Sequence, residues 1–281
     1  MTDEDRLVTS LIRNRELLAG NGTEIPNPGT YRKLIRVLLR TAAKDEVTED
    51  ARDLIMDAVQ LTSDPDRLIL SGPSFFGTAK TAAGGGTLYA SAEARLGYFR
   101  QIFPHDRLEL FIALRNPATF LPATFETTGF ASMDEYLRGA DPASVRWSDL
   151  ISRLRTTYPD IPITLWCNED TPLIWAEVMR ELAGLDPTVA LEDEFALLEE
   201  IMTGPGLQRF ASYVATHPDM TEIQKRRVVA AFLDKFADEN AIEEELDIPG
   251  WTEELIEHLT ELYDEDVYAI QRIPGVTLIA P

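Results

Sequence analysis

One cysteine, Cys167, and three histidines in 281 residues leave little material for thiol or imidazole chemistry. A single cysteine excludes an intrachain disulfide framework, and neither a paired C-x-x-C nor an H-E-x-x-H is present to suggest zinc. Basic residues are scarce: 26 Lys+Arg stand against 48 Asp+Glu, a formal net charge of −22. That balance argues against a general nucleic-acid or anionic-membrane surface. No apolar run approaches the roughly 20 residues of a membrane helix. The acidic opening MTDEDR is unlike a signal peptide. The expectation is a soluble, cytoplasmic protein with no metal, no nucleic-acid partner and no membrane.

What is present is ample apolar content. With 44% hydrophobic and 26% charged residues the chain can bury a sizeable core. The acid is unevenly spread: residues 186–266 hold 22 acidic and 5 basic side chains, whereas residues 1–185 hold 26 and 20. Two parts are therefore expected, an α/β core over 1–190 and an acidic helical region over 191–281.

Helical periodicity marks Asp3 to Leu18, with Thr2 or Asp3 as its cap, then Tyr31 to Leu39 after a turn at 26–29, and Glu49 to Leu61. Apolar runs at Arg67–Ser71, Leu108–Leu114 and Ile163–Cys167 read as strands buried on both faces, and Val276–Ala280 as an edge strand. Helical stretches at Ala92–Ile102 and Trp147–Tyr158 lie between them. Strands separated by helices imply right-handed crossovers, and so a mostly parallel sheet flanked by helices. From Leu191 to Tyr268 the pattern is helical throughout.

In such a sheet, ligands bind beyond the carboxyl ends of the strands. The loop after the first run, Ser71-Gly72-Pro73-Ser74-Phe75-Phe76-Gly77, offers small residues and the hydroxyls of Ser71 and Ser74 to an anion, or else it is an ordinary turn. Gly84-Gly85-Gly86 lacks the Lys-Ser/Thr of a phosphate loop and reads as a surface turn. Arg115, at the carboxyl end of the second run and before Asn116-Pro117, suits an anion seat. After the third run, Asp170 or Thr171 caps the helix Leu173 to Leu182, which leaves Glu169 as a carboxylate able to act as a base or hold Arg115. Cys167 reads as a packed thiol. His105 falls at the wrong end of the sheet, and His217 and His258 lie in the acidic region, so no Ser-His-Asp set assembles.

In their order, LVTSLIRNRELLAGNGTEIPNPGTYRKLI, LELFIALRNPATFL and ITLWCNEDTPLIWAEVMRELAGLDP resemble bacterial sulfotransferase-like proteins of the P-loop nucleotide-binding superfamily. The likeness runs loosely over residues 7–190, and VYAIQRIPGVTLI has the family's ending. It implies phosphoadenosine phosphosulfate as cofactor and transfer of a sulfuryl group to a hydroxyl acceptor, a small molecule or a glycan. Arg115 matches the arginine that holds the adenosine 3′-phosphate, while the serine expected eight residues later is Ala123. Ser71, Ser74 and Gly77 fall in the family's donor region; the family's catalytic His or Glu has no clear counterpart, and Glu169 is the candidate base offered by the loop after the third run. The family carries a strand and a donor-binding loop ahead of the first helix; this sequence opens at that helix, so either those elements lie upstream of Met1 or this branch has none. A gap in the sheet is the expectation, and the alternative to an enzyme is a catalytically silent binding or interaction module.

The acidic region holds DENAIEEELD at 238–247 and, farther on, apolar Leu255, Ile256, Leu259 and Leu262 at helical spacing. Trp251 and Tyr263 are its expected anchors on the sheet. Its outer face is either a solubilising surface or a dock for a basic protein partner.

Overall fold

Asn14 breaks the first helix. The structure, a computed structural model, describes residues 5–44, 46–61, 64–238, 241 and 248–281. Within them the expected helix over 3–18 is two, α1 (Arg6–Arg13) and α2 (Arg15–Gly20), while the Thr2 or Asp3 cap lies outside the described residues. Asn14 is buried. Its side chain donates to Ser10 O and Glu192 O and accepts from Glu192 N, so one amide fixes the helix joint and the 190s segment together.

Next come β1 (Thr23–Glu24), α3 (Pro28–Ala42), α4 (Ala51–Val59) and β2 (Arg67–Leu68). Helix α3 starts earlier than the sequence suggests. Asn27 Oδ1 accepts from Gly29 N, and Pro28 at the first position needs no donor, so a turn-like Pro-Asn-Pro-Gly becomes a capped helix start. Strand β1 was not anticipated: Thr-Glu carries no apolar run. It pairs in parallel with β2, and because it is two residues long, the strand expected over 67–71 ends at Leu68.

The main sheet follows: α5 (Ala92–Ile102), β3 (Leu110–Leu114), α6 (Pro117–Glu126), α7 (Met133–Leu137), α8 (Trp147–Thr157), β4 (Ile163–Cys167) and α9 (Thr171–Ala183). The acidic region contributes α10 (Leu198–Ile201), α11 (Gly204–Thr216), α12 (Glu222–Phe236), α13 (Glu253–Ile270) and β5 (Val276–Ile279). Strand order is β3–β4–β5, parallel throughout, with Leu110 opposite Ile163 and Ile163 opposite Val276. The fold class is therefore α/β with parallel sheets flanked by helices, as the alternation of runs implies. The sheet is in two pieces rather than one.

Alternation along the strands sorts the core into two layers. Leu114, Ile163 and Leu165 face a cluster with Leu96, Phe120 and Trp147 from α5, α6 and α8. Trp166 and Ile279 face the other way, onto Leu11 of α1 and Ile174, Trp175 and Met179 of α9. A third cluster packs α3 and α4 beside β2, through Tyr31, Ile35 and Ile55.

The acidic region divides. Helices α10 to α12 hold their own small cluster around Phe210 and Val229. It is tied to α9 by buried Arg180, which pairs with Glu194 and Glu222, while Lys225 pairs with the same two carboxylates at 2.8 and 3.0 Å. Helix α13 instead joins the main core. Trp251 and Tyr263 are buried as expected, and the Trp251 indole donates to Ala118 O at 2.9 Å. The acidic run at 238–247 lies largely outside the described residues. No helix among the described residues is long and apolar enough to cross a membrane.

Candidate functional site

Helix α8 lacks a side-chain cap of its own, and α13 supplies one. Asp266, 5% exposed, accepts from Trp147 N at 2.7 Å and Ser148 N at 3.2 Å. The Trp147 indole in turn donates to Arg115 O at 2.8 Å, and its ring meets Phe120 edge-on at 5.2 Å. The carboxyl end of β3 is thus fixed by aromatic packing and one buried carboxylate.

Arg115 is buried, 7% exposed, and its Nε donates to Thr119 Oγ1 at 3.0 Å. Asn116 Oδ1 caps α6 through Ala118 N, as Asn-Pro predicts, and its amide nitrogen donates to Thr260 Oγ1 of α13. Glu169 is exposed, yet both its oxygens are engaged: Oε1 accepts from Asn116 N at 2.8 Å and Oε2 from Tyr263 Oη at 3.2 Å. The structure therefore brings Arg115, Glu169 and α13 into one corner, with Glu169 bonded to the residue after Arg115.

The 168–170 segment is a 3-10 turn, and the capping expectation there is corrected. Asp170 makes no side-chain cap bond to α9, and Thr171 Oγ1 instead donates back to Asn168 O at 2.6 Å. Burial, reinforced by neighbouring Glu169, raises the Asp170 carboxyl above its ordinary value. Burial also pushes the Cys167 thiol up to about 11, the opposite of what a nucleophile requires and in line with a packed thiol.

Ser71 lies elsewhere, at the end of β2. Its backbone N donates to Tyr31 Oη at 2.8 Å, and its carbonyl accepts from Arg32 Nε at 2.9 Å. Arg32 also donates its two terminal nitrogens to Asp5 at 2.5 and 2.7 Å, a bidentate pair linking the start of α1 to the end of β2. Ser74 O accepts from Arg95 at 3.1 Å. A Cβ on Gly77 would sit 2.9 Å from Thr81 Oγ1, so that glycine serves a close turn. Gly85 and Gly86 have φ of +73°, and a Cβ on Gly86 would meet Ser144, consistent with a surface turn.

The largest cavity described, about 770 Å³, runs between β2 and β3. Ser71 and Gly72 line one end of it, together with Asn168 and Thr171 from beyond β4. Arg115, Ser74, Gly77 and Glu169 are not among its lining residues. Sequence reasoning thus singled out one lining residue, Ser71, and missed Tyr31 and Arg32, which hold the Ser71 backbone without lining the cavity. Those two sit in the first turn of α3, where nothing in their spacing points at β2. Among the described residues no group of three or more His, Cys, Asp or Glu is placed to hold a metal ion.

These features define an α/β protein whose parallel sheets frame a cavity at their common seam. No family model, curated protein or solved structure matches the chain.

Proposed function

We propose that this chain is a binding module on a sulfotransferase-like α/β scaffold rather than a working sulfuryl transferase. One observation carries the reading: the groups assigned to chemistry are engaged in holding the fold. Glu169 accepts from Asn116 N and Tyr263 Oη, and buried Arg115 donates to Thr119. The 770 Å³ cavity lies at the seam of the sheets, and neither Glu169 nor Arg115 lines it. In-line transfer needs an anion cradle, a cation at the bridging oxygen and a base within reach of the acceptor. The assay is sulfuryl transfer from phosphoadenosine phosphosulfate to a simple phenol or sugar. The expected result is no turnover; turnover abolished by Glu169→Gln would overturn the reading.

A second reading is favoured by Ser71, Gly72, Asn168 and Thr171, which place small and hydroxyl side chains at the cavity end that open α/β sheets use for ligands. On it, the chain binds phosphoadenosine nucleotide from that end, with the 3′-phosphate reaching beyond the cavity's lining to Arg115 in the neighbouring corner. Calorimetric titration with phosphoadenosine phosphate tests it. Losing an arginine–phosphate contact costs about 1.5 to 3 kcal/mol, so Arg115→Ala should weaken binding roughly ten- to a hundredfold. Equal affinity of the two proteins would remove Arg115 from the site.

A further inference from the structure

Leu110 N donates to Pro162 O, so the alternation of a parallel ladder turns Leu110, Ile112 and Leu114 toward β4. The N–H and C=O of Phe111 and Ala113 then point to the opposite edge, where no strand lies among the described residues. Across the seam the same pattern holds. Arg67 N donates to Gly22 O and Ile69 N to Glu24 O, which turns Leu68 and Leu70 away from β1 and toward β3. Leu68, Leu70, Phe111 and Ala113 all line the 770 Å³ cavity. Two strand edges thus face each other over an empty volume, and the Arg67–Glu109 ion pair at 2.8 Å ties the two sides at one end.

Asp64, Asp66, Asp106 and Arg107 line the cavity near that ion pair, and Ser71, Asn168 and Thr171 line the other end, while the walls between are apolar. Leu7, Leu11 and Trp175 close one face, and Leu96, Phe99 and Trp147 the other. Trp175 is 2% exposed, and its indole Nε1–H has no acceptor. A buried indole N–H without a partner costs free energy, and a strand between the two edges would pair both rows of half-buried backbone groups at about 4.8 Å spacing. A strand buried on both faces must itself be apolar and rich in Val and Ile. The slot's own lining holds Asp5, Asp64, Asp66, Asp106 and Glu109 against Arg52, Arg67 and Arg107, an acidic excess that favours a segment with basic flanks, as a basic polypeptide supplies.

We propose that the slot between β2 and β3 is a docking site for one extended, apolar strand of a basic protein partner. Its insertion joins β1–β2 and β3–β4–β5 into a single continuous sheet, the buried form of strand addition. This rests on the binding-module reading and names that module's partner.

The probe is a synthetic peptide of five alternating valines and isoleucines, flanked by two lysines at each end and titrated into the intact chain. Saturable binding is expected, with slowed amide exchange at Leu68, Leu70, Phe111 and Ala113 and weaker affinity at high salt. A proline at the peptide's centre removes a ladder donor and should weaken binding by roughly tenfold or more. Leu70→Pro removes a slot-facing donor from the protein without touching the bond from Ile69 to β1, and should weaken the peptide while leaving circular dichroism unchanged. No binding, or equal binding of the proline peptide, would overturn the strand proposal. Sulfuryl transfer by the chain would instead overturn the binding-module reading, so the two failures are distinguishable.

Discussion

The two sheets of this molecule are held by different means. In β3–β4–β5 the backbone ladder does the work: β4 pairs along both edges, with five registered pairs on one side and four on the other. In β1–β2 the ladder is two pairs long, and side chains from α1 and α3 complete it. Tyr31 both donates to and accepts from the Ser71 backbone, and Arg32 spans Ser71 and Asp5. A two-stranded pair is marginal by itself. The difference teaches that the three-stranded half is stabilised by registration and core burial, and the two-stranded half by a few polar clamps.

That contrast breaks most severely at Trp147. Trp147→Ala removes a 2% exposed ring from the larger core and should cost about 3 to 5 kcal/mol in denaturant unfolding. A loss below 1 kcal/mol would mean that burial there is not what holds the half. Asp266→Ala comes next. It strips α8 of its borrowed cap and leaves two amides unsatisfied, at about 2 to 3 kcal/mol. Asp266→Asn keeps an acceptor and should restore part of that.

On the other side of the seam the effects are smaller. Tyr31→Phe deletes the hydroxyl that serves the Ser71 backbone, and about 1 kcal/mol should go. Proteolytic cleavage within 64–75 should rise while the three-stranded half stays protected. The smallest effect is acid sensitivity. Hydrogen bonding and charge from Arg32 hold Asp5 below its ordinary 3.8, and Arg52 does the same for Asp106. Depressed carboxyls contribute stability above their unfolded value and lose it as pH falls through their folded one. The two-stranded half should therefore loosen as pH drops below 3.8, and Asp5→Asn should flatten that response. The raised Asp170 works in the opposite sense, its contribution declining as pH rises through its folded value.

The three-stranded half was also the legible one. The runs at 108–114, 163–167 and 276–280 are apolar enough to announce strands buried on both faces, and each lies within two residues of its observed bounds. Strand β1 was hidden because Thr23 and Glu24 are held by partners distant in sequence, and the shortening of β2 follows from β1's brevity. Asn14 looked like one polar residue in a helical stretch; its break depends on Glu192, far along the chain. Of the site, Arg115, Ser71 and Glu169 stood out because they follow strands. Their engagement with Thr119, Tyr31 and Tyr263 rests on tertiary packing that no local pattern records.

The seam itself is the central claim, and residue-resolved amide exchange of the unliganded chain tests it most directly. Leu110, Ile112 and Leu114 should exchange slowly, with Phe111 and Ala113 between them fast, and Leu70 fast beside a slower Ile69. That alternation would show β3 and β2 each paired along one edge only. Uniform protection along β3 would mean that the seam is already filled, and would contradict both the divided sheet and the docking slot.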